Sequence, residues 1–329
     1  MTIHLQFEPD PGRAVALDRR MHQELGNSLT EVCGQARGSV AFDAPCMEAL
    51  IDGLRGDAVH APTTFGLYYD LVLALLGGDR GEAERLFAIL AEVAPVSTEP
   101  AIRGLEAPGA SSWSDLYRAK MSADLSDGIE FLPPSREVVG RFRERHAIAM
   151  AMMDRAVPEL AAEVRALVRD TVCVTGAPDA KMSFQGGSHY QLWGALFLNA
   201  EYHDSPLALA EVIAHESAHS LLFGFCIEEP LVFNKDEELY PSPLREDPRP
   251  MDGIYHATFV SARMHWAMSR LLDSGMLSAE ERRLAAAARD NDAENFDAGH
   301  RVVAEHARMS GFAAELMEGA RAYMAVAAR

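Results

Sequence analysis

Residues 170–176 read DTVCVTG, an alternation rich in β-branched residues that predicts a strand. The character of the chain changes there. Upstream, spaced apolar residues predict helices from about 12 to 35 and over 45–55, 64–77 and 80–93, the last two joined at Gly77-Gly78. The stretch TEPAIRGLEAPGASSWSD, residues 98–115, carries Pro100, Pro108 and several glycines and serines, and reads as a connector. A long helix restarts after Pro133-Pro134, with Ser135 as its cap. Downstream, KMSFQGG (181–187) and GALFLNA (194–200) are further strand candidates.

Three helices follow. One has Asp204 or Ser205 as its cap and Pro206 in its first turn, and Gly224 follows its last periodic residue. The next runs from Gly253 to about Leu272, with Asp252 as cap and Gly275 beyond its end. SAEE, residues 278–281, is a capping box that opens a third, and the tail is helical. The expected fold is mainly α with a small β-sheet (α+β). A helical N-terminal region, 1–130, precedes a core region, 131–329.

Composition narrows the functions open to such a chain. With 329 residues there is ample core for one large domain or two modest ones. A hydrophobic fraction of 48% and a mean hydropathy of −0.07 are those of a soluble globular protein. No apolar run reaches the roughly 18 residues of a membrane span, and the N-terminus MTIHLQFEPDPGR lacks a secretory pattern. The net charge of −19 argues against nucleic acid or an anionic membrane as partner. Cys33, Cys46, Cys173 and Cys226 are widely spaced with no CxxC pair, which points to reduced thiols in a cytoplasmic chain rather than a zinc ribbon.

The chemistry sits in EVIAHESAHSLLFGF, residues 211–225, which contains HExxH. On an α-helix, His215 and His219 lie about 40° apart and one turn along, so two imidazoles can grip one ion. Glu216 reaches the rim of the same site, where in zinc peptidases such a carboxylate activates metal-bound water. Two histidines on a solvated helix are the plain alternative. The surrounding run of Leu207, Leu209, Val212, Ile213, Leu221 and Leu222 weighs against it, because buried imidazoles need polar partners.

A third ligand is required. The extended pattern HExxHxxGxxH is excluded, because Leu222 and Phe225 stand at its Gly and His positions. Glu237 and Glu238 lie at a suitable distance, but Pro241 and Pro243 follow closely and a solvated loop is the better reading. His256, in the first turn of the next helix, is the stronger candidate. His265 lies about 180° around that helix from His256. His189 and His203 fall in loops, and His300 and His306 on a late charged helix.

LALAEVIAHESAHSLLF (207–223) followed by YPSPLREDPRPMDGIYHATFVSARM (240–264) resembles the HExxH-type peptide-modification proteins of bacterial peptide natural-product clusters. That family is understood as 2-oxoglutarate-dependent peptide β-hydroxylases. The likeness covers roughly residues 180 to 270 and is weak over the first 130. It implies an Fe(II) oxygenase that uses 2-oxoglutarate and O2 on a precursor peptide, with His215, His219 and His256 as metal ligands. It leaves the role of Glu216 open between holding a metal-bound water and holding a substrate amide. A distal carboxylate calls for arginine. Arg263 is about 20° off the face of His256 and two turns along, with Arg249 and Arg245 as rivals. QLWGALFLNAEY (191–202) reads as an edge strand to which a peptide could add, with Asn199 as a candidate contact, although a plain strand residue is the better reading of Asn199. A zinc peptidase with Glu216 as base and a non-catalytic peptide-binding protein are the competing expectations.

Overall fold

The computed structural model describes residues 4–124, 131–176, 184–245 and 247–327. It is mostly helical with a small mixed sheet, the α+β class expected. The chain groups into two compact units: one of Met1–Ala16, Arg143–Ala166 and His203–Arg329, the other of Leu17–Phe142 and Leu167–Tyr202. Both units draw on residues from either side of position 130.

The second unit holds the sheet. It begins within α1 (Pro11–Ala36) and continues through α2 (Ala44–Arg55), α3 (Pro62–Leu76) and α4 (Arg80–Ala91). The strand β1 (Ala101–Gly104), α5 (Ser112–Asp124) and β2 (Phe131–Leu132) follow, and α6 (Arg136–Ala156) starts here, with Ser135 Oγ accepting from Val138 N at 3.2 Å as expected of its cap. The segment 98–115, expected as a connector, thus contains a strand. Its four residues pair in parallel with β3 (Asp170–Gly176), an attachment that Ala-Ile-Arg-Gly does not announce in sequence.

In the sheet, β3 also pairs antiparallel with β2 and in parallel with β5 (Ala195–Asn199), and β5 pairs on its other side with β4 (Gly186–Ser188). Only the last residues of the expected strand 181–187 are visible in β4; Lys181–Ser183 lie outside the described residues. All five residues of β5 are buried. β5 is therefore an interior strand rather than an edge, because β3 and β4 occupy both of its hydrogen-bonding sides. Tyr117, Phe131, Val172, Val174, Phe184 and Phe197 close the core around it.

The first unit is built on α7 (Pro158–Leu167, of which the last residue falls in the other unit), α8 (Pro206–Phe225), the hairpin of β6 (Leu239–Tyr240) and β7 (Arg249–Pro250), α9 (Met251–Asp273), α10 (Ala279–His306) and α11 (Gly311–Ala327). The sequence signals at the starts of α8 and α10 hold. Ser205 caps α8 by accepting from Ala208 N at 3.1 Å, Pro206 opens its first turn, and Ser278 and Glu281 form a complete capping box on α10.

Two helix ends differ from expectation. α8 runs past Gly224 to Phe225, because the Phe225 ring is buried against Phe312 and under the Arg13 guanidinium. α9 begins at Met251, whose side chain is fully buried, so Asp252 lies inside the first turn instead of capping it. Gly275, at φ +70°, turns the chain just beyond α9. α9 and α10 pack closely at Gly299, where a Cβ would run into Thr258 Oγ1 and crowd Pro243. No helix among the described residues is long and apolar enough to cross a membrane.

Candidate metal centre

α8 is apolar on nearly every face, so its polar residues stand out. Glu216 is 4% exposed, and His215 keeps 22% of its side chain exposed. α9 lies antiparallel beside it: His219 meets His256, while His215 meets Met264, two turns further along α9. His256 thus lies against His219 of the HExxH pair.

The contacts fix which nitrogens face which. His215 Nε2 and His219 Nε2 are 3.1 Å apart. His219 Nδ1 and His256 Nδ1 are 2.8 Å apart, with the two rings within 17° of parallel and their centres 5.0 Å apart. His215 Nδ1 lies 3.3 Å from Met264 Sδ. On the outer side, His256 Nε2 is 3.9 Å from Asp252 Oδ2, one turn back on α9, and Phe223 packs against the His256 ring. Glu216 Oε1 is 4.0 Å from His215 Nε2.

All three imidazoles are held neutral. Burial pushes the His215 pKa down to about 4, helped by His203 and His256. Burial also drives His219 well below the usual range, with His215 and His256 adding to it. For His256 burial lowers the value and Asp252 opposes. Neutral imidazole is the form that ligates a metal.

A thioether has no proton to give, so His215 Nδ1 carries the hydrogen that faces Met264, and His215 Nε2 presents a lone pair. Two Nε2 atoms 3.1 Å apart match neighbouring ligands at about 90° on one ion at about 2.0–2.1 Å from each. The donor chemistry therefore fits a divalent metal at His215 and His219. His256 faces Nδ1 of His219, the other ring nitrogen from the Nε2 that faces His215. Among the described residues, no group of three His, Cys, Asp or Glu side chains is arranged to hold an ion.

The remaining candidates are placed as follows. Arg263 is 1% exposed and is already engaged: Nη1 donates to the Phe7 carbonyl at 2.8 Å, and Nη2 donates to Glu163, which also binds Arg13 at 2.9 Å. The helix-face reading of Arg263 as a cosubstrate ligand is corrected by that buried ion cluster. Arg249 sits on β7 at the start of α9, with Nη2 on Asp247 at 2.6 Å. Its buried Nε has no hydrogen-bond partner among the described residues. Arg245 is exposed.

Asn199 belongs to the sheet unit, where its amide donates to the Phe184 carbonyl at 2.8 Å and its Oδ1 accepts from Glu201 N. It supports a turn, and the edge-strand contact expected of it is not available on an interior strand. Glu238 is held by Arg308 and Tyr240, and Glu237 is exposed, as a solvated loop requires. His265 bonds Tyr323, and His189 accepts from Gln191 N.

Sequence reasoning missed Met264 and set His203 aside as a loop residue. Met264 is recognisable only as lying eight residues after His256, about 80° around α9 and two turns along. His203 is buried just ahead of α8 and its charge would act on His215, a proximity that nothing in its loop sequence announces. The chain matches no protein-family model and no curated protein.

Proposed function

We propose that the chain is an iron(II)- and 2-oxoglutarate-dependent hydroxylase that acts on a side-chain β-carbon of a ribosomally made peptide. The observation that carries the metal is the pair of Nε2 atoms from HExxH, facing each other at 3.1 Å in neutral imidazoles. The oxygenase rests on the likeness of residues 207–223 and 240–264 to the peptide β-hydroxylases. His215 and His219 would hold the iron, which with 2-oxoglutarate and O2 supplies the oxidising power for hydroxylation. Met264 fixes the His215 tautomer by accepting its Nδ1 proton. Glu216, 4.0 Å from His215 Nε2, would hold a water or a substrate amide by hydrogen bond. With Arg263 engaged, Arg249 is the better cation for the distal carboxylate of the cosubstrate, and Arg245 the next.

The Glu216 carboxylate, 4.0 Å from His215 Nε2, also suits a zinc peptidase in which it serves as general base. The test is parallel incubation of the Fe(II) and Zn(II) forms with candidate precursor peptides. The hydroxylase reading expects succinate release and a peptide heavier by one oxygen with iron. Cleaved peptide with zinc, abolished in Glu216→Gln, would replace that reading by the peptidase.

A further inference from the structure

The geometry points to His256 as a positioning residue: with Asp252 it sets the proton on His219 Nδ1, so that His219 Nε2 is free to bind the metal, and it does not itself bind the ion. This inference rests on a metal at His215 and His219 but not on the oxygenase chemistry proposed for it.

The ring centres of His219 and His256 are 5.0 Å apart, and a 2.8 Å contact between nitrogens fits that separation only when both Nδ1 atoms lie near the line of centres. An ion held by His219 Nε2 lies off the far side of the His219 ring. His256 cannot reach it without breaking this contact and swinging its imidazole around its neighbour.

The protons then follow. His215 carries its hydrogen on Nδ1, facing Met264 Sδ. Without an ion, His219 Nε2–H donates to His215 Nε2, and His256 Nδ1–H donates to His219 Nδ1, a chain in which each short contact has one donor and one acceptor. With an ion, His219 Nε2 must give up its hydrogen. His219 then carries a proton on Nδ1 and donates it to His256 Nδ1. His256 in turn holds its proton on Nε2.

The three imidazoles carry three ring protons in both states. Metal binding thus moves a proton from Nε2 to Nδ1 on His219 and from Nδ1 to Nε2 on His256. The new N–H on His256 needs an acceptor, and Asp252 Oδ2 stands 3.9 Å from that nitrogen, one helical turn away, on a side chain 57% exposed and free to close the gap. A carboxylate–histidine pair behind a ligating histidine is a known means of fixing its tautomer and raising its basicity.

The experiment is Zn(II) titration of the full chain, combined with X-ray absorption to count the imidazoles on the bound zinc. Wild type, His256→Asn, Asp252→Asn and His219→Ala are compared. His256→Asn should weaken Zn(II) binding by about 10–100-fold, the usual effect of losing an outer-shell partner, with the imidazole count unchanged. Asp252→Asn, at a side chain exposed enough to spare the fold, should weaken binding in the same direction with the count unchanged. His219→Ala should lose one imidazole. A count that falls by one in His256→Asn would overturn the inference, as would unchanged affinity in both His256→Asn and Asp252→Asn, or a wild type that binds no Zn(II). If these zinc results hold but no succinate forms with iron, the hydroxylase reading fails and the role of His256 stands.

Discussion

Glu163→Gln should destabilise the protein more than any single change at the metal centre. Glu163 is fully buried and accepts from Asp10 N at 2.9 Å, from Arg13 Nη2 at 2.9 Å and from Arg263 Nη2. Its carboxylate bridges two guanidinium groups whose side chains are at most 1% exposed. Burial already pulls the Arg263 pKa below its usual value, with Glu163 opposing and Arg13 adding to the fall. Glutamine removes the negative charge and turns one acceptor into a donor facing two cations. Breaking a buried pair in this way costs about 3–5 kcal/mol, a folding constant lower by roughly two to four orders of magnitude. In urea the midpoint should fall by more than about 1 M at an unchanged slope. Replacing Arg13, Glu163 and Arg263 together by apolar residues of similar volume should recover most of the loss, because the desolvation of all three charges is then removed as well. A shift below about 0.3 M in Glu163→Gln would refute the reasoning.

Three further outcomes follow from the same physics. His60, His146 and His215 each have a pKa lowered to about 4 in the folded chain, chiefly by burial, against an ordinary value of 6.5. The unfolded chain binds more protons between those values, so urea stability of the metal-free protein should be complete above about pH 6.5 and fall as pH drops toward 4; a flat profile there would contradict it. Asp292 runs the other way: burial and then Glu211 raise it from 3.8 to about 8, so its contribution is complete below pH 3.8 and is lost as pH rises from there to 8, and the gain in stability of Asp292→Asn over wild type should be absent below pH 3.8, grow across that window and level off above pH 8. Gly299→Ala should cost about 1–3 kcal/mol of unfolding free energy, because the methyl meets Thr258 between α9 and α10; a neutral result would mean that the helices separate freely.

The parts of the fold legible in sequence are those specified by local chemistry. Ser205 with Pro206 and Ser278 with Glu281 are read correctly because a cap acts within one turn. β3 is legible because it is rich in β-branched residues and all but its last residue are buried. β1 is not, because Ala101–Gly104 become a strand only through pairing with β3, some seventy residues away. The start of α9 moves from Gly253 to Met251 because burial of Met251, a tertiary effect, sets it.

At the site the same division holds. Helical spacing joins His215 to His219, and the need for a third metal ligand points to His256, but spacing does not say which nitrogen His256 offers. Arg263 shows the limit most clearly. Its position on α9 is a matter of counting, while its commitment to Glu163 and to the Phe7 carbonyl depends on segments 100 and 256 residues away.

The most direct test of the account needs no peptide. The protein is loaded anaerobically with Fe(II) and titrated with 2-oxoglutarate, and the visible charge-transfer absorption of an iron(II)–2-oxo-acid chelate is followed. The account predicts a saturable band in wild type, no band in His219→Ala, a band that needs more 2-oxoglutarate in Arg249→Ala, and wild-type titration for whatever fraction of Arg263→Ala remains folded. A wild-type protein that binds Fe(II) at His215 and His219 yet gives no band at any 2-oxoglutarate concentration would contradict the hydroxylase.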